Sequence, residues 1–473
     1  MAVERETFEN LVPLQFISFN FPNPLFTTNP KSLNQYGQSL RIAILDSPQQ
    51  PATDPPQLAA MLVPHNREHD WIFSTKNGNL QLLLNSPGIS RLILIGNPLH
   101  DADDFPAIYN RPMNEDSTDI LHIQERLTPL LFALSPKSAF INNLPPEIPF
   151  VTYEDNVICS VSVEKCTGSY VGEMLVEDVE IETFGSNSKG REFRRRLRFK
   201  RMPNLVQTEI RIISEIPVED FGVKAVKFRP DNSCLVHPYL PPMVASLSLI
   251  STHLDRGDCL DSKPRVLCIG VGGGALLSFL HTHFAFRVYG VEIDEIVRKV
   301  AKKYFGLVEN EMLRVCVGDG IEIIKKVAEN IAFVSNGYRK SNGNVDSFRD
   351  LHSPFDVIMV DLDASDARNG LCAPPMEFIR KEVLSAAKLA LQTHGILVIN
   401  VIPVSRTFYD YLINEFREVF AELYEINVEN EENYVLIAAV TPVMIVSSDN
   451  DNPIVKKLNL IIPKQYIDCI RKL

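Results

Sequence analysis

The sequence predicts an α/β protein whose second half is a mostly parallel sheet, and three observations carry that prediction. From Pro264 onward, apolar runs of β type alternate with segments of helical spacing. The first run, PRVLCIG, opens into Gly270, Gly272, Gly273 and Gly274 and then a helical segment, and the next run, RVYGVEID, ends in acids. The last two runs are joined by a short acidic connection, 429–433, which only an antiparallel pair can use because a parallel pair needs a crossover.

The chain divides by pattern into four stretches: 1–149, 150–232, 233–445 and 446–473. The first, an N-terminal α/β module of unclear role, holds β-type runs at 40–46 and 91–96. Between them, 70–84 has mixed helical character and carries the one tryptophan, Trp71. Pro51, Pro55 and Pro56 mark a loop. No glycine-rich turn follows Gly96, so the pattern points to a structural or partner-binding module.

Residues 150–232 read as a small antiparallel β region. In the run 193–201, Phe193, Leu197 and Phe199 share one face, while Arg194, Arg196, Arg198 and Lys200 share the other, and Arg195 breaks the apolar face. A basic run can be a nucleic-acid patch. The acidic run 176–182 across a flexible turn at 185–190 favours charge pairing within the hairpin instead. A third run, 205–213, completes that sheet. A proline-rich bend then leads into a helix from Pro242, and His237 and Tyr239 before it could roof a ligand.

The alternation from Pro264 gives strand one at 265–269 and helix A at 274–284. Strand two at 287–293 precedes helix B at 294–304, stopped by Gly306 as a C-terminal cap. Strand three lies at 313–317, and helix C follows Gly320. A polar surface insertion is expected at 335–354. Strand four, 355–360, ends at Asp361. Helix D, 376–391, strand five, 395–400, and helix E, 407–420, lead to the antiparallel pair 423–428 and 434–440. The tail is a polar loop and a short amphipathic helix.

The composition suits a soluble globular protein: 473 residues, 45% hydrophobic and 22% charged, with a formal net charge of −12. An acidic surface argues against broad nucleic-acid binding, which needs basic grooves. The eight cysteines form no C-x-x-C pair and read as reduced thiols of a cytoplasmic protein. The N-terminus lacks the apolar core of a secretory signal, and no apolar run approaches the roughly 18 residues of a membrane span.

Ligands of open parallel sheets sit at the carboxyl ends of the strands. There the glycines let backbone pass close to a ligand, and the N–H groups opening helix A can face a carboxylate or phosphate. Glu292, with the adjoining Ile293, stands where a carboxylate can take ribose hydroxyls. Asp319 and Gly320 can receive an adenine ring. Together these predict an adenosine-bearing cofactor, whereas the glycines alone could be only a packing turn. After strand four, Asp361, Asp363 and Asp366 can hold an ammonium or remove a proton from an amine nucleophile. The structural alternative for them is loop and helix-capping acids. No metal-ligand cluster is evident.

The segment VLCIGVGGGALL…VYGVEID…VCVGDGIEII…FDVIMVDLDASD resembles the spermidine synthase-like branch of class I methyltransferases. Within it, the chain resembles the C-terminal half of the methyltransferase-like protein 13 family, which methylates elongation factor 1-alpha. REHDWIF around Trp71, GEMLVEDVE, PNLVQTE around Gln207 and CAPP around Cys372 extend the likeness over roughly 57–440. The resemblance implies a seven-stranded Rossmann-like methyltransferase sheet with a reversed last strand. It also implies S-adenosylmethionine as cofactor, with Gly270, Gly272, Gly273, Gly274, Glu292, Ile293, Asp319, Gly320 and Asp361 binding it. Catalysis is expected from Asp361 and Asp363, and the acceptor is expected to be the N-terminal amine, or a nearby lysine, of elongation factor 1-alpha. A homodimer is a further expectation, because synthases of this branch usually dimerise. No nucleic acid or membrane partner is expected.

Two alternatives stay open: aminopropyl or small-amine alkyl transfer, and a non-catalytic cofactor-binding scaffold. Polyamine synthases carry an acid within the glycine run, where Gly273 stands here. They also carry DSSDP at the end of strand four, where this chain shifts the D-x-x-D spacing to Asp363–Asp366.

Overall fold

The computed structural model describes residues 5–24, 37–49, 54–99, 108–112, 117–184, 189–215, 227–256, 262–335, 353–364, 373–428 and 433–473. The chain builds three sheets. The first begins with β1 (Phe16–Pro22), β2 (Ser39–Asp46), β3 (Gln57–Leu62) and β4 (Ile89–Gly96). Two short helices, α1 (Trp71–Ser74) and α2 (Lys76–Leu84), lie between β3 and β4. Next come β5 (Ile108–Asn110), which joins the second sheet, and α3 (Ser117–Ala133). The first sheet is completed by β6 (Phe150–Val151), in the order β1-β2-β4-β3-β6.

The runs expected at 40–46 and 91–96 are β2 and β4, paired antiparallel. By contrast β3, QLAAML, shows little of the β-branched or aromatic content by which a strand is read. It is held by parallel pairing to β4 and by burial of Leu58, Ala59, Ala60 and Met61. The mixed helical character of 70–84 resolves into two helices, capped by the side chains of Asp70 and Thr75. They pack closely because residue 78 is glycine: a Cβ there would lie 2.2 Å from the Trp71 carbonyl oxygen.

The second sheet is antiparallel, with β7 (Val157–Gly168), β8 (Gly172–Phe184), β9 (Lys189–Phe199), β10 (Val206–Ser214) and β11 (Phe228–Asp231) in the order β11-β10-β9-β8-β7-β5. The basic run pairs on both sides: Arg198 with Glu177 of β8, and Arg194 and Arg196 with Glu209 of β10. Arg195, which interrupts the apolar face, also joins two regions. Its guanidinium holds Asp178 at 2.6 and 2.8 Å and donates to the Tyr304 carbonyl at 2.9 Å, in the next part of the chain. Arg198 likewise reaches the first module, 3.0 Å from Asp70. Burial alone would raise the Asp70 carboxyl, but Arg198 and Arg67 bring it down to about 2.

The helical segment expected from Pro242 starts at Leu240 and changes pitch along its length: α4 (Leu240–Ala245), a 3-10 helix (Ser246–Ile250) and α5 (Ser251–Leu254). The third sheet then runs β12 (Arg265–Ile269), α6 (Ala275–Phe284), β13 (Arg287–Glu292), α7 (Glu295–Tyr304), β14 (Leu313–Val317), α8 (Gly320–Ser335) and β15 (Phe355–Val360). It continues with α9 (Lys381–Ala390), β16 (Leu391–Val401), α10 (Arg406–Arg417), β17 (Glu422–Asn427) and β18 (Tyr434–Ala439). The end of the chain adds α11 (Pro453–Ile461), α12 (Gln465–Asp468) and β19 (Arg471–Lys472). Strand order is β14-β13-β12-β15-β16-β18-β17-β19.

The reversed strand is β18, inserted antiparallel between β16 and β17. Sheet position and chain order therefore differ, and β19 makes an eighth strand where seven were expected. Helix α9 starts five residues later than the expected 376, behind Pro374 and Pro375. Gly306 stops α7 as expected, with φ +73° and the Leu307 N–H returning to the Ala301 carbonyl. The expected insertion lies, over 336–352, outside the described residues, as do Asp366, Cys372, the turn residues 185–188 and the connection 429–432.

Strands of this sheet read as continuous apolar runs because both faces are covered. Along β12, Val266 and Cys268 enter one core, and Leu267 and Ile269 enter the other. The first core also takes Met174, Val176, Leu197 and Phe199 from the antiparallel sheet, and Val455, Leu458, Ile467 and Ile470 from the tail. The sequence boundaries at 232 and 446 thus divide the chain but not its core. The tail is latched at the sheet edge by Arg471, which donates at 2.5 Å to the fully buried Glu425. Arg471→Ala is expected to cost about 1–3 kcal/mol in urea unfolding, the usual loss when a buried charged group keeps only part of its bonding. Among the described residues no helix is long and apolar enough to cross a membrane.

Candidate active site

A cavity of about 280 Å³ opens at the carboxyl ends of β12, β13 and β15, the place expected for a ligand in an open parallel sheet. Its floor is the turn after β12. Gly270 has φ +86°, and a Cβ there would sit 2.1 Å from the Asp361 carbonyl oxygen, so glycine is required for the ends of β12 and β15 to meet. Gly272 has φ +51°, with Thr208 Oγ1 2.4 Å from its ideal Cβ position.

Glu292 ends β13, buried against this turn. Its Oε2 accepts from the N–H groups of Val271 and Gly272 at 3.2 and 3.3 Å, and its Oε1 accepts from Asp294 N at 3.2 Å. Burial raises its carboxyl above the ordinary range, and these N–H donors oppose that rise. Ile293 lies beside it on the cavity wall and stays 38% exposed, leaving the site open at that edge.

The remaining cofactor residues are placed differently. Gly273 and Gly274 do not line the cavity. The Gly273 N–H donates to Thr208 Oγ1 at 2.8 Å, and a Cβ would meet Thr208 Cγ2 at 2.6 Å and Phe305 at 2.8 Å. A side chain at 273 would therefore have to displace Phe305 or Thr208, which itself lines the cavity. Gly274 lets helix α6 begin at φ +81° against Leu307. Asp319 is exposed and outside the cavity. Its Oδ1 caps α8 through the N–H groups of Ile321 and Glu322 at 2.8 and 3.2 Å. A Cβ at Gly320 would meet Ile269 at 2.4 Å, which makes 320 a packing position.

Asp361 and Asp363 both line the cavity, in sharply different company. Asp361 accepts only from neutral groups: Tyr239 Oη at 3.1 Å on Oδ2 and Asn400 Nδ2 at 3.3 Å on Oδ1. Asn400 is itself held by Asn433, 2.8 Å away. Burial pushes the Asp361 carboxyl up to about 6, against the pull of these two bonds. Asp363 instead takes a cation, Arg201 Nη2 at 2.9 Å, and Gln207 Nε2 at 3.1 Å. The Tyr239 phenol, raised by burial and by Asp361, stays a neutral donor. The His237 imidazole is lowered by burial and stays neutral. His237 lines the cavity, and its Nε2 is buried with no hydrogen-bond partner among the described residues.

The sequence pattern named Asp361, Asp363, Glu292 and the glycines, and pointed to His237 and Tyr239 as a roof. It passed over Thr208, Asn400, Asn433 and Arg201. Asn400 had a signal, being polar at the end of an apolar run. Thr208 and Arg201 had none, because their partners lie 65 and 162 residues away.

No protein-family model matches the chain. It is similar to the eEF1A lysine and N-terminal methyltransferase of Xenopus laevis, 27% identical over 410 residues, covering 83% of this chain and 52% of that protein. It is also similar to the polyamine aminopropyltransferase of Vibrio vulnificus, 27% identical over 219 residues, 45% of this chain and 59% of that one. Among solved structures, human Methyltransferase-like protein 13 in complex with SAH shares 24% identity, covering 49% of this chain and 93% of that chain with a TM-score of 0.38. The chain spans about half the length of the eEF1A methyltransferase it matches.

Proposed function

We propose that the chain is an S-adenosylmethionine-dependent protein N-methyltransferase acting on the N-terminal α-amine of elongation factor 1-alpha. The observation that carries this reading is Asp361. It is a carboxylate bonded only to neutral donors, in a cavity whose other wall is Glu292 and the turn at Gly270–Gly272. The named relative supports the acceptor.

The residues present fit such a donor. The turn at Gly270 and Gly272 brings bare backbone to the cavity, Glu292 can accept from ribose hydroxyls, and His237 lines the same cavity. When bound, the donor supplies an electrophilic methyl group on a sulfonium. Asp361 holds the acceptor nitrogen beside it and takes its proton, while Tyr239 and Asn400 fix the carboxylate and leave its remaining lone pairs toward the cavity. An α-amine, with a pKa of about 7.7–8.0, is neutral far more often near pH 7 than a lysine at about 10.4, so a carboxylate at about 6 suffices to orient it. Alignment of the amine with the methyl group supplies most of the rate.

Glu292→Ala is expected to weaken S-adenosylmethionine binding about tenfold to a hundredfold by calorimetry, since it removes an acceptor and releases the turn it ties down. Unchanged affinity would remove Glu292 from the donor site.

Aminopropyl transfer is the second reading, favoured by the similarity to a polyamine aminopropyltransferase. Competition between intact and decarboxylated S-adenosylmethionine separates the two. Methyl transfer predicts preference for the intact donor, and preference for the decarboxylated one would sink it.

A further inference from the structure

Arg201 is the one guanidinium on the cavity wall among the described residues, and the N-terminal module holds it there. It follows β9 in the loop 200–205. That loop is pinned from α2 by three bonds: Asn77 Nδ2 donates to the Arg201 carbonyl at 3.2 Å, Gln81 Oε1 accepts from Asn204 N at 3.0 Å, and Gln81 Nε2 meets Met202 Sδ at 3.4 Å. Gln81 is buried, so these bonds fix the loop instead of decorating it. Phe199 lies under the guanidinium, 5.3 Å from ring centroid to Cζ. Two of the five N–H groups of Arg201 are engaged, by Asp363 at 2.9 Å and by the Ala364 carbonyl at 3.4 Å. Among the described residues the others have no hydrogen-bond partner and can meet a ligand acceptor.

Asp361 and Asp363 set two negative charges at this end of the cavity, and Arg201 cancels one of them. A single ammonium is matched, and a second cation on the same small molecule would face Arg201. An α-amine also differs from a lysine or a diamine in carrying a carbonyl oxygen two carbons away, an acceptor for the guanidinium.

We propose that Arg201, aimed by Asn77 and Gln81 of the N-terminal module, reads the first carbonyl of the acceptor. It thereby selects an α-amino-acyl terminus over lysines and polyamines. This rests on the amine-methylation reading above. Arg201 is the specificity-determining residue, and Asn77 and Gln81 are positioning residues that act through its loop.

The test uses the full chain, S-adenosylmethionine and two short peptides, one beginning with glycine and one with β-alanine, which moves the carbonyl one carbon farther from the amine. The diamine 1,4-diaminobutane is the third acceptor. The wild type should favour the glycine peptide in kcat/KM by about tenfold or more, the worth of a hydrogen bond to a charged group, and should leave the diamine unmodified. Arg201→Ala should erase the preference between the peptides, with donor affinity unchanged. Arg201→Lys should lose the carbonyl reading but still refuse the diamine. Gln81→Ala, outside the cavity, should raise KM for the glycine peptide several-fold and leave kcat and donor affinity alone, a split that general loss of stability would not produce.

If Arg201→Ala and Gln81→Ala both keep the glycine preference, the inference is overturned while the methylation reading stands. If the wild type binds donor but transfers methyl to neither peptide, that reading fails and the inference falls with it.

Discussion

Asp361→Asn is expected to lower methyl-transfer turnover by about 10²–10⁴-fold, the range for loss of a positioned proton acceptor, while S-adenosylmethionine affinity stays within a few-fold. The asparagine keeps the size of the side chain and can still bond Tyr239 and Asn400. It cannot accept a proton or balance an ammonium. Because Asp361 titrates at about 6, wild-type kcat/KM should fall on the acid side at or below about that pH. The variant should lose that limb and keep only the dependence set by the acceptor amine.

The stability effect has the opposite sign. The carboxyl is raised from 3.8 to about 6, chiefly by burial, so the fold favours its protonated form. Stability gained from that proton is complete below about pH 4 and is lost as pH rises through about 6. At pH 8 the variant should therefore unfold at higher urea than the wild type. A variant that retains turnover would remove Asp361 from the chemistry, whatever its stability.

Arg91→Met is expected to destabilise the N-terminal module by about 3–5 kcal/mol, the loss seen when one partner of a buried ion pair is removed. Arg91 is 1% exposed, and all five of its N–H groups are used. It donates to both oxygens of Asp46 at 2.6 and 2.9 Å, to the carbonyls of Phe8 and Leu134 at 2.8 and 2.7 Å, and to Asn10 at 2.9 Å. It thus ties β2 and β4 to the N-terminal turn and to the end of α3. Methionine fills the space but leaves Asp46 buried without its cation and three carbonyls without donors. Urea unfolding measures the loss. Because α2 packs on this sheet and holds the Arg201 loop, the KM for the acceptor should rise before donor affinity changes. A shift under 1 kcal/mol would mean that water reaches Asp46 and replaces the arginine.

The parts of the fold that were legible in the sequence are those set by local pattern. β12 and β15 have the expected bounds because a strand buried on both faces is apolar nearly throughout, and the bounds of the partly exposed edge strand β14 also match; glycine or aspartate marks each end. Gly306 was readable as a stop because it alone could take a left-handed conformation after Phe305. β3 was not readable, since two alanines in QLAAML mark no preference and only its neighbours make it a strand. The insertion of β18 between β16 and β17 left no local trace, because antiparallel pairing of the last two runs fits either order.

The candidate site divides the same way. Asp361, Glu292 and Gly270 stand at strand ends, where position in the sequence gives position in space. Asp319 stands at a strand end as well, yet its side chain is taken by a helix cap, a use that motif spacing does not distinguish from ligand contact. Gly273 is packed against Thr208, whose methyl lies 2.6 Å from the position of a Cβ, a contact across 65 residues that leaves no local trace. The basic run 193–201 was best explained by pairing within the sheet. Arg195, Arg198 and Arg201 depart from it: the first joins the antiparallel sheet to α7, the second also reaches Asp70 of the first module, and the third lines the cavity.

The most direct measurement of the central claim is transfer of labelled methyl from S-adenosylmethionine to purified, unmodified elongation factor 1-alpha, with the modified residue mapped by mass spectrometry. The account predicts label on the N-terminal α-amine, abolished by Asp361→Asn. Label on lysine side chains alone, or only on small amines, in a preparation that binds the donor would contradict it.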